Sequence, residues 1–223
     1  MLNGSQESGE WMEVEIRPTH NPSGFVPRVG EEFAELQGRL PDGAAEQLRD
    51  GALGILRGCV RPRPASDEES TVMLVHGSVQ SGKTSSFTTV LALAKDNGYA
   101  ILIVLAGASI TLLKQNRKRL NGRDGLNLSE RSDRSWVHIE AGLGAGKQNQ
   151  MRQQLQRVLS DWHDPMVLPE ERQTILITVM KHHKHLQELA SVLQTVQPQL
   201  EGLGVMIVDD EADQISLNSR VND

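Results

Sequence analysis

The residues most able to do chemistry lie in residues 74–87, LVHGSVQSGKTSSF. Gly77, Gly82, Lys83 and Thr84 stand there at the spacing G-x-x-x-x-G-K-T, after an apolar run and before a helix-compatible segment. Glycines at those positions let backbone N–H groups curl around phosphates. A lysine then reaches the terminal phosphates, and a threonine hydroxyl at a helix N-terminus can ligate magnesium where the helix dipole favours anions. Residues Gly77, Ser78, Val79, Gln80, Ser81, Gly82, Lys83, Thr84 and Ser85 are therefore the candidate nucleotide-binding set, with ATP and Mg2+ as the expected ligands.

A phosphate loop that hydrolyses its nucleotide needs one carboxylate for magnesium and a second to orient water. The stretch VMIVDDEAD places Asp209, Asp210, Glu211 and Asp213 at the end of an apolar, strand-like run. Ligands of open parallel sheets bind at that end of the strands. Either Asp209 or Asp210 can be the first carboxylate, and the base shifts with it by one residue.

These residues need a scaffold, and the chain has enough apolar material for one. It has 223 residues, 38% hydrophobic and 23% charged, with a net charge of −6. Disordered and collagen-like classes are excluded. The acidic balance confines any nucleic-acid contact to a local basic patch. A single cysteine, Cys59, excludes an internal disulfide framework and a cysteine zinc cluster. It fits a reducing compartment, with the cytoplasm as the default. Residues 1–15 lack the pattern of a secretory signal, and the longest apolar run, at 99–113, is too short and too interrupted to cross a membrane.

From residue 71 onward, short apolar runs alternate with helical patterns: TVMLV, AILIVL, WVHIEA, TILITV and VMIVDD, with helices expected from Lys83, from Ser109 and through His182 to Leu193. The expectation is an α/β domain with a parallel sheet flanked by helices. Upstream, residues 31–40 and 42–59 read as helices, the second with Asp42 as a possible cap. We divide the chain into a mostly helical region (1–60), a proline-containing linker (61–70) and the phosphate-loop lobe (71–223). An amphipathic helix is expected within 150–162.

Three further features carry less. Lys114, Arg117, Lys118, Arg119 and Arg123 form a basic run that either contacts nucleic-acid phosphates or is a solvated helix face. His182 and His185 share a helical face but lack a nearby carboxylate or cysteine, so KHHKH reads as a surface helix start. GLGAGK at 142–147 imitates a phosphate loop without its spacing or its Ser/Thr, and reads as a turn.

The blocks GSVQSGKT, GYAILIVLAG and VDDEADQISLN, in this order over about residues 71–218, resemble the Z-one domain family of endonuclease-associated ATPases in restriction and phage defence. DEAD at 210–213 is also similar to motif II of superfamily-two helicases. The resemblance implies a RecA-like P-loop NTPase lobe that acts on DNA, with Lys83 and Glu211 catalytic, Thr84 and Asp210 holding magnesium, and the basic run on the nucleic-acid backbone. It further implies a second ATPase lobe or partner chain and another strand of the first lobe, neither present in these residues. The chain is therefore expected to be truncated after motif II and incomplete at its C-terminus, with a gap in the middle of its sheet between the phosphate-loop strand and the acidic strand, and to be inactive alone. No nuclease motif is visible. The alternative is a nucleotide-dependent protein-binding switch that touches no nucleic acid.

Overall fold

The computed structural model describes residues 24–40, 43–63, 70–75, 83–122, 125–130, 135–210 and 212. Its centre is a sheet of β1 (Ile101–Leu105), β2 (Trp136–Glu140), β3 (Thr174–Val179) and β4 (Val205–Asp209), in the order β2-β3-β1-β4 with every pair parallel. The runs ILIVL and TILITV are apolar almost throughout, as strands covered on both faces must be. β3 is accordingly buried at every position and β1 at all but its last.

Alternation along the strands sends successive side chains to opposite faces. Leu102, Val104, Leu176 and Met206 share one core with α3 (Lys83–Asp96) and with Leu120 of α4 (Ile110–Asn121). Ile101, Ile103, Ile175 and Ile177 share the other with α5 (Ala145–His163) and α6 (His183–Thr195), and α7 (Gln197–Leu200) adds Leu200 at its margin. On that second face Val205 and Ile207 of β4 are exposed. β4 also has no strand on its outer side among the described residues.

Helix α3 is buried nearly all round, with Phe87 and residues 90–94 in the core. A helix apolar on every side needs cover on every side. The sheet provides one side, and α1 (Glu31–Gln37) and α2 (Ala45–Arg57) provide another, packing through Phe33, Leu36, Leu48, Ile55 and Leu56. The last turn of α3 fastens them. Asp96 accepts the backbone N–H groups of Gly30 (3.0 Å), Glu32 (2.9 Å) and Phe33 (3.0 Å), so a carboxylate remote in sequence caps α1. A Cβ on Gly30 would lie 2.6 Å from Asp96 Oδ1, so the amide can approach because residue 30 is glycine. Lys95 donates to buried Glu32 at 2.5 Å and to Ser135 Oγ at 2.7 Å, and its ammonium stands 5.1 Å from the centre of the Trp136 ring. Burial raises the Asp96 pKa, and the three amide donors oppose that rise.

Residues 60–62 are tied to the start of the sheet. The Tyr99 hydroxyl donates to the Val60 carbonyl, and the Gly204 N–H donates to the Pro62 carbonyl at 2.5 Å. Burial drives the Tyr99 phenol upward in pKa and pushes the Cys59 thiol to about 11, so Cys59 is a packing residue with little thiolate.

Several expectations need correction. Residues 71–75 form no strand: the segment is irregular, with Val72 93% and Leu74 80% exposed. An apolar run becomes a strand only where a neighbour completes its ladder, and among the described residues no strand pairs with 71–75. Helix α2 begins at Ala45 with Ala44 as its N-cap and no side-chain cap bond, and Asp42 lies outside the described residues. The turn expected at 142–147 ends at Gly144 (φ 106°), where α5 starts. Ser109 does cap α4, accepting from the Leu112 N–H at 3.2 Å.

Asp96→Ala removes a charged acceptor from three amides and should lower stability by about 3 kcal/mol, read from the urea midpoint. A loss below about 0.5 kcal/mol, the range of an ordinary surface substitution, would refute its role as the fastener of α1.

Candidate functional site

The ionisable groups of interest gather where the parallel strands end. Asp209 is the last residue of β4, opposite Leu105 of β1, and Asp210 extends the ladder through its N–H to the Leu105 carbonyl (3.4 Å). Strand alternation separates the two carboxylates. Asp210 follows the parity of Met206 and Val208, whose side chains pack in the α3 core, whereas Asp209 follows Val205 and Ile207 on the opposite face.

Each has a cation. Lys181 Nζ lies 2.8 Å from Asp209 Oδ2, with side-chain exposures of 12% and 30%. Lys181 follows the end of β3, and its N–H donates to the Gly107 carbonyl at 2.8 Å, which ties it to the turn after β1. The ends of β3, β1 and β4 are thus joined by one residue. Arg119, in the last turn of α4, stands 3.9 Å from Asp210 Oδ2, an outer-limit ion pair.

The basic run lies on α4 with Lys114, Arg117, Lys118 and Arg119 exposed, and Arg123 lies outside the described residues. Arg117 Nε is 2.8 Å from Glu140 Oε1 at the end of β2. Two of the expected phosphate contacts therefore face carboxylates at strand ends. Beneath them His138 is half-buried, its Nε2 3.1 Å from Thr178 Oγ1 on β3. Burial lowers the His138 pKa, an effect that Glu140 opposes and Arg117 reinforces.

The phosphate-loop residues are only partly in view. Gly77, Ser78, Val79, Gln80, Ser81 and Gly82 lie outside the described residues, as do Glu211, Asp213 and the side chains of Lys83 and Thr84. The backbone of Lys83 opens α3. Ser85 is half-buried in the first turn, where its carbonyl accepts from Thr88 Oγ1 (3.1 Å) and Thr89 Oγ1 (2.6 Å). These bonds satisfy two hydroxyls in a helix otherwise packed in apolar surroundings.

Among the described residues no group of three His, Cys, Asp or Glu could hold a metal ion, and the histidines of KHHKH contact one another instead. His182 caps α6 by accepting from the Lys184 N–H at 3.4 Å. A hard cation such as Mg2+ prefers oxygen donors and keeps several waters, and the Asp210 carboxylate suits that preference. Sequence reasoning missed Lys181, His138 and Glu140. Lys181 carried a signal, because it stands two residues past an apolar strand, at the end where open sheets bind ligands.

Fold and site define a class: an α/β protein with an all-parallel sheet between helical layers, and with charged side chains collected at the carboxyl ends of the strands. No helix among the described residues is long and apolar enough to cross a membrane. A scan of protein-family models, a search of curated proteins and a search of solved structures each return no match for the chain.

The depressed pKa of His138 has a consequence for stability. Above the ordinary imidazole pKa of about 6.5 both folded and unfolded chains carry it neutral. Below that value the unfolded chain binds a proton that the folded chain resists, so stability falls as pH drops from about 6.5 toward the lowered folded value. His138→Gln should flatten this part of the stability–pH curve in urea titrations, and an unchanged slope would refute the assignment.

Proposed function

We propose that this chain is the nucleotide-binding lobe of an ATPase that works on nucleic acid, of the kind its Z-one-like motifs imply. One observation carries the reading. The G-x-x-x-x-G-K-T run leads directly into α3, and α3 packs on the same sheet face to which strand parity assigns Asp210. A helix N-terminus and a carboxylate on one side of a parallel sheet are what a magnesium–nucleotide site requires.

In this reading Lys83 grips the terminal phosphates, and Thr84 and Asp210 hold Mg2+, which neutralises charge on the phosphates. Glu211 polarises the attacking water. Turnover draws on a second lobe or partner chain for its arginine finger. Lys114, Lys118 and the arginines beside them lie on the DNA backbone.

A second reading is favoured by a specific contact pattern. Arg117 and Arg119 face Glu140 and Asp210, as they would if α4 served the protein and not a nucleic acid. That reading is a nucleotide-dependent switch that binds a partner protein.

Lys83→Ala should abolish binding of a fluorescent ATP analogue, whereas Glu211→Gln should bind normally and lose turnover in the assembled enzyme. Binding that survives Lys83→Ala would end the nucleotide-site reading. DNA should stimulate turnover and do so less as salt rises. Indifference to DNA, together with a protein partner retained only with ATP, would favour the switch.

A further inference from the structure

Two neighbouring aspartates end β4, and the sequence leaves open which of them serves the metal. Resting on the nucleotide-site reading, we infer that Lys181 is the positioning residue that decides it: by engaging Asp209 on the far face of the sheet, it reserves Asp210 for Mg2+. The pair is short at 2.8 Å, and Lys181 is only 12% exposed. A lysine that shielded from water needs a counter-ion, and Asp209 stands at hydrogen-bond distance to serve as one.

The anchoring is equally specific. The backbone of Lys181 is fixed by its N–H to the Gly107 carbonyl, and Asp210 is held to β1 by its own N–H to Leu105. The ammonium therefore pulls Asp209 toward the β3–α6 junction, while strand parity carried one residue past the ladder puts Asp210 on the face of Met206 and Val208, where Arg119 of α4 approaches only to 3.9 Å and leaves the carboxylate open to a metal. Adjacent carboxylates on one strand end repel when both face one site. Assigning one to a protein cation removes that conflict and fixes the angle from which the other meets the metal. Lys181 touches neither nucleotide nor metal in this arrangement. It acts through Asp209.

The test uses the full chain and binding of a fluorescent ATP analogue, titrated with and without Mg2+. In the unaltered protein Mg2+ should strengthen binding. Lys181→Met should cut that magnesium-dependent gain at least about tenfold while metal-free binding changes less than about twofold, a difference of about 1.4 kcal/mol confined to the metal-bound state. Lys181→Arg should keep the gain, and adding Asp209→Asn to Lys181→Met should restore most of it. Asp210→Asn should abolish the gain in every background.

A second measurement guards against simple misfolding. Urea unfolding of the metal-free single and double variants at 181 and 209 should show a non-additive pair, and Asp209→Asn alone should retain the magnesium gain. Loss of the gain in Asp209→Asn would make Asp209 the metal carboxylate and overturn the inference. So would an undiminished gain in Lys181→Met, or no recovery in the double variant. If the unaltered chain binds the analogue with no magnesium gain, metal placement by Lys181 is overturned while nucleotide binding stands. If it binds no analogue at all, the nucleotide-site reading itself fails, and Lys181–Asp209 is only a structural ion pair.

Discussion

A parallel sheet must be covered on both faces, and most of this structure follows from meeting that demand around β1. β1 lies between β3 and β4, and its alternate side chains enter two separate cores. Full burial of a leucine or isoleucine contributes about 1.5–3 kcal/mol, so the central strands are the largest concentrated source of stability. The same demand reaches outward. Helix α3 covers one face with side chains apolar all round, and it therefore needs α1 and α2 as a further layer. The polar contacts of Lys95, Asp96 and Asn97 decide where that layer sits, because apolar contact alone is non-directional.

Local pattern was a good guide wherever local chemistry decided the outcome. The strands β1, β3 and β4 are legible as short apolar runs, and α4 is legible from Ser109, whose own hydroxyl caps it. Residues 71–75 show where that guide stops. TVMLV is as apolar a run as TILITV, yet TILITV is buried between two neighbours, whereas TVMLV pairs with no strand among the described residues and rests on the core only through Met73. Strand formation depends on a second segment, and composition does not report whether that segment is in place. Asp96 is a stronger case. An aspartate in the last turn of a helix opposes the helix dipole and would be read as a solvated end. Its partners are Gly30, Glu32 and Phe33, at least 63 positions away, and no local rule could name them.

The candidate site was legible as chemistry and not as geometry. The run DDEAD announces carboxylates at a strand end, but two successive strand residues point to opposite faces. Which aspartate serves which face depends on the ladder with β1 and on Lys181, whose place beside Asp209 is set by the β3–β1 pairing. His138 and Glu140 were silent for the same reason, since their partners Thr178 and Arg117 lie on other elements.

Strong acid partners would remove Arg117 and Arg119 from any phosphate contact, and the magnitudes show these partners to be weak. Arg117 and Glu140 are each about half exposed, and Arg119 approaches Asp210 only to 3.9 Å. Exposed pairs of this kind contribute roughly 0–1 kcal/mol. A phosphate neutralised by the same guanidinium gains a charge-assisted, often bidentate contact and releases condensed counterions, which can outweigh so weak a pair. Arg117 and Arg119 are thus held near the strand ends without being committed to them.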